Sequence, residues 1–65
     1  MNLFKDKTLK SPVDFDNAMY FAIPVTVWQN GKLIDYGGKI ERHTDEAVFI
    51  NDGYFLKDVC EFRIR

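Results

Sequence analysis

The Asn30-Gly31 pair, set between "VTVWQ" and "KLIDY", limits more than any other feature what this chain can fold into. A two-residue type I′ turn needs positive φ at both central positions, and Asn and Gly tolerate it best, so the flanking residues are expected to pair as a hairpin. Upstream, Phe21, Ile23, Val25 and Val27 alternate with Ala22, Pro24, Thr26 and Trp28, which predicts a first strand over residues 21–28 with an inward odd face. Downstream, a second strand is expected over residues 32–36. Gly37-Gly38 then marks a bulge or sharp bend, beyond which the strand continues over residues 39–44.

Thr44-Asp45-Glu46 supplies a polar turn, residues 47–51 a short apolar strand, and Asn51-Asp52-Gly53 a second turn of residues that accept positive φ. A brief strand follows over residues 54–56. The closing run "VCEFRIR", residues 59–65, alternates with Cys60, Phe62 and Ile64 facing inward and Glu61, Arg63 and Arg65 outward. Ahead of all this, residues 1–10 read as a flexible start and residues 11–20 as a lead-in that is either a short helix or an irregular loop. "SPVD" favours the helix, with Ser11 at the N-cap, Pro12 at the first helical position and Asp14 three residues after the cap. Pro24 forbids a long one.

Five short strands with tight turns cannot bury a core as an open flat sheet of this size. The expected fold class is therefore mainly β: a small five-stranded, strongly bent antiparallel barrel of the Src-homology-3 or Sm type, formed by residues 11–65 as one domain. A curled meander packed on the lead-in helix is the alternative. With 65 residues, a single core supplies only about 3 to 5 kcal/mol, which argues against a large catalytic cleft. A formal charge of -1 removes the global basic excess that drives non-specific nucleic-acid binding, though a local patch remains open. The early Lys5, Asp6, Lys7 and Lys10 interrupt any signal-type apolar stretch, and Cys60, the single cysteine, has no disulfide partner, which together point to a reducing cytoplasm and no membrane span.

The segment "GKIERHTDEAVFINDGYFLKDVCEFRI", residues 38–64, with "VTVWQNGKLIDYGG" ahead of it, resembles the YolD-like family and, more distantly, Sm-like barrels. The resemblance lies in the Gly38-Lys39-Ile40 opening, a charged turn, an apolar strand, an Asp-Gly turn and a closing segment from Leu56 to Val59; it spans residues 25–64. It implies a bacterial or phage, mobile-element protein acting as an adaptor beside error-prone DNA polymerases. The loop with which Sm proteins read RNA has no equivalent here.

No residue set carries catalysis. His43 stands alone between Arg42 and Thr44 and is expected to face solvent; Asp45 and Glu46 read as turn residues, and Asp14, Asp16, Asp52 and Asp58 lie in the lead-in or in turns. No catalytic residue, metal ligand or cofactor is expected, and Cys60 reads as a small core residue. The stronger candidates are aromatic. Trp28 points away from the odd face, and Tyr36 and Tyr54 sit beside turns, so the three are expected to present a docking surface for a protein partner. Alternatively Trp28 folds over the open end of the barrel or onto Met19 and Tyr20. Arg42, Arg63 and Arg65, with Lys39 nearby, form the candidate set for single-stranded nucleic acid, tempered by Glu41 and Glu61 on the same outward faces. A structural role through self-association, either by pairing an unprotected strand edge or by forming an Sm-like ring, is the remaining possibility.

Overall fold

Ser11 closes a capping box: its hydroxyl accepts from the N–H of Asp14 at 3.2 Å, while the Asp14 carboxylate accepts from the N–H groups of Lys10 and Ser11. Those two backbone bonds hold the Asp14 carboxyl below its ordinary value of 3.8. From this start the computed structural model, which describes residues 7–65, builds helix α1, Pro12–Tyr20. The lead-in is thus a helix. It buries Phe15 and Ala18 against the sheets.

The chain then reverses sooner than the alternation predicts. The N–H groups of Phe21, Ala22 and Ile23 go back to carbonyls of Asn17, Met19 and Ala18, and Ala22 takes a positive φ of 52°, so none of the three joins a ladder. Strand β1 is Pro24–Gln29, and Phe21, expected in the core, is 64% exposed. The remaining strands are β2 (Lys32–Lys39), β3 (Arg42–His43), β4 (Ala47–Ile50), β5 (Gly53–Leu56) and β6 (Glu61–Ile64). Both expected turns form with positive φ, at Asn30 and Gly31 and at Asn51 and Asp52.

These six strands form two antiparallel three-stranded sheets, ordered β2-β1-β6 and β3-β4-β5, and not the expected closed five-stranded barrel. The reason is local. The bent strand is interrupted at Ile40-Glu41, leaving β3 two residues long. Val59 and Cys60 both donate to the Leu56 carbonyl in a turn, so β6 begins only at Glu61 and β5 is not laddered to it. Residues 7–9, assigned by sequence to a flexible start, lie along β6: Thr8 bridges to Arg63, and Leu9 is buried. The rest of that assignment, residues 1–6, falls outside the described residues.

Phe62 joins the layers. Its ring meets Phe15 of α1 edge-on at 5.6 Å between centroids and Phe55 of the second sheet at 6.5 Å. Val25, Val27, Val48 and Ile50 fill the space around it with essentially no exposure, and Cys60 packs against this core half-buried, its thiol pushed up by desolvation.

The sheets are brought together at the Gly37-Gly38 bend. Two register shifts fall between β1 and β2, one on either side of Val27, and they twist β2 away from its partner. Gly37 has φ 73°, and a Cβ there would overlap the carbonyl oxygen of Val25; its own carbonyl accepts from Asn51 Nδ2 at 2.9 Å, tying the bend to the β4-β5 turn. Gly37→Ala is therefore expected to cost about 3 kcal/mol or more, comparable with the whole stability of so small a chain. Gly31→Ala shares the positive φ but meets nothing within 4 Å, and should cost only about 1 kcal/mol. Urea midpoints of the two variants check the contrast.

Candidate functional site

Residues paired directly across an antiparallel ladder share a face, so the register fixes what the outside of the first sheet displays. Thr26 stands opposite Arg63, and Trp28 stands between Glu61 on one side and Leu33 on the other. Phe62 and Ile64 alternate inward, as the closing run predicts. The face thus carries Leu33, Thr26, Trp28, Glu61 and Arg63.

Trp28 neither plugs the core nor stands free. Its indole N–H donates to Thr26 Oγ1 at 2.8 Å, the Thr26 hydroxyl donates to the Arg63 carbonyl, and the Arg63 guanidinium lies 4.0 Å over the indole ring. Glu61 in turn accepts from Arg63 Nε. Next to this stack is a second of the same kind. Arg65 lies 4.6 Å over the Tyr36 ring and donates from Nη2 to the Tyr36 carbonyl at 2.8 Å, so the residue that follows β6 reaches across β1 to β2. Arg65 has no ion-pair partner among the described residues. Tyr36 is 66% exposed.

Of the three aromatic residues read from the sequence, the structure brings Trp28 and Tyr36 into one sheet and places Tyr54 in the other, tilted against Phe49 at 5.9 Å. Of the three arginines, Arg63 and Arg65 are adjacent on this face, whereas Arg42 lies 4.0 Å over Phe49 in the second sheet. Lys39 pairs with Pro24 on the β2 side. Sequence reading missed the arginine over each ring and missed Leu33 and Ile34, which stand 50% and 46% exposed on β2. The available signal was the pair of arginines two positions apart, Arg63 and Arg65, in "EFRIR".

His43 does not face solvent, because α1 lies over β3. Its side chain is only 11% exposed, its Nε2 is 2.6 Å from Asp16 Oδ1, and Lys57 Nζ is 3.1 Å from its Nδ1. An ammonium only donates, so Nδ1 accepts and the ring proton sits on Nε2 toward Asp16. The Lys57 ammonium also lies 4.3 Å over the Phe15 ring, beside which the imidazole packs at 5.4 Å. The nitrogen that would serve as a base is occupied by Lys57. The group is a clamp between helix, β3 and the turn after β5.

Among the described residues no group of His, Cys, Asp and Glu is arranged to hold a metal ion, and no helix is long and apolar enough to cross a membrane. Comparison with known proteins finds no match to this chain among family models, curated proteins or solved structures. The YolD-like and Sm-like resemblances therefore stand on the quoted residues alone.

The Arg63 stack makes a direct claim about the single tryptophan. In Arg63→Ala the indole loses its cover and the Thr26 bond remains, so acrylamide quenching of Trp28 fluorescence is expected to rise about twofold with the fold unchanged.

Proposed function

We propose that this protein is a non-enzymatic interaction module that docks on a protein partner through the outer face of its first sheet. The observation that carries the reading is the pair of adjacent stacks, Arg63 on Trp28 and Arg65 on Tyr36. Trp, Tyr and Arg are the residue types that dominate binding hot spots, because large rigid side chains bury much area for few rotamers lost. Here both arginines are already ordered against a ring, which lowers the entropy cost of holding them in a complex. Leu33 extends the face with an exposed apolar side chain, and the charge of Arg65, unpaired among the described residues, favours a partner surface that presents a carboxylate beside apolar residues. Tyr54 stays outside this face. The resemblance to YolD-like adaptors supports the same class of role, and a cytoplasmic setting suits the lone cysteine.

A second reading has its own support. Guanidinium groups beside aromatic rings also suit single-stranded nucleic acid, on which bases stack and phosphates meet Arg63 and Arg65. Against it stand the Glu61 carboxylate paired to Arg63 and the absence of a net positive charge.

Two surface variants separate the readings. Tyr36→Ala and Arg65→Ala, both at exposed positions, should each weaken capture of a protein partner by about tenfold or more while the circular dichroism spectrum is unchanged. Amide shifts on this face with short oligonucleotides, lost at high salt, would instead establish the nucleic-acid reading.

A further inference from the structure

Among the described residues strand β2 is hydrogen-bonded to one strand only, β1. In the order β2-β1-β6, the far side of β6 is bridged by Thr8, while the outer edge of β2 meets no strand among the described residues. Gln29 and Lys32 close the two-residue Asn30-Gly31 turn, so they form a hydrogen-bonded pair, and the next pair, Trp28 with Leu33, is of the alternate kind. The N–H and C=O of Leu33 consequently point to the open edge. An edge left in this state is a template for another strand.

The side chains around Leu33 restrict what that strand can be. Gln29 and Val27 are two apart on β1 and share a face, and they pair with Lys32 and Asp35. The register shift between Val27 and Trp28 therefore puts Lys32 and Asp35 on one face, flanking Leu33, although they are three residues apart. A segment with a cation on one side of its centre and an anion on the other is complementary to itself when reversed.

We infer that the occupant of this edge is a second copy of the chain, paired antiparallel about a two-fold axis at Leu33. Each Leu33 exchanges both backbone hydrogen bonds with its counterpart, and, because Ile34 is the extra residue of the bulge so that Ile34 and Asp35 together oppose one partner position, Lys32 of each copy faces Asp35 of the other. The exposed Leu33 and Ile34 side chains lose water at the same seam. The dimer would join the two outer sheet faces into one continuous surface. This inference rests on the edge and its charges, not on the docking role.

Sedimentation equilibrium of the full chain from about 10 µM to about 1 mM tests it. The wild type is expected to pass from monomer to dimer across that range, with concentration-dependent amide shifts confined to β2. Lys32→Asp and Asp35→Lys, each verified as folded by its amide spectrum, should weaken the dimer about tenfold by placing like charges opposite one another. The double variant carrying both substitutions should regain wild-type association. A wild type that stays monomeric at the highest concentration overturns the inference, as does a dimer that ignores the single charge reversals or is not restored by the double exchange. A change at Asp35 that harms only folding would show in the amide spectrum, and Lys32→Glu at a fully surface position then gives the same reading.

Discussion

At Gly37 the backbone of β2 comes so close to the Val25 carbonyl that no side chain fits between them. Everything else in the arrangement follows from that approach. Because β2 can cross Val25 closely and with left-handed φ, it leaves β1 and delivers the chain through Ile40 to the second sheet, closing the core around Val25, Val48 and Ile50. Asn51 holds the bend from the other side through the Gly37 carbonyl. The same departure displaces Tyr36 from a regular register to a position where Arg65, two strands away, covers its ring.

The sequence makes much of this legible because the informative signals are local. Asn30-Gly31 and Asn51-Asp52 declare their turns through φ, Gly37-Gly38 declares the bend, Ser11-Pro12 with Asp14 declares the helix start, and the alternation of Phe62 and Ile64 declares the closing strand. What misleads is an apolar residue whose backbone is already committed elsewhere. Phe21 continues the odd apolar series, yet its N–H belongs to the last turn of α1, and that bond outweighs the pattern. Barrel closure fails to form for a similar reason, since the Leu56 carbonyl gathers the N–H groups that a longer β6 would need.

The candidate site was only half legible. Trp28 as an outward ring and Arg63 and Arg65 as outward cations could be read from alternation, but their union depends on β6 returning beside β1 from more than thirty positions away. Contacts of that span leave no periodic trace. His43 illustrates the same limit: beside Arg42 and Thr44 it reads as a surface residue, and only the docking of α1 gives it Asp16 and Lys57 as partners. Tyr54 and Arg42 were grouped with the others by residue type, and the division into two sheets separates them.

The account turns on the two guanidinium groups resting on their rings in the free protein. The most direct measurement is a side-chain NMR assignment of Arg63 and Arg65 with nuclear Overhauser contacts to the aromatic protons. Upfield ring-current shifts of both side chains, with Arg63 contacts to Trp28 and Arg65 contacts to Tyr36, are the expected result. Random-coil shifts and no such contacts would contradict an ordered face and remove its basis as a docking surface.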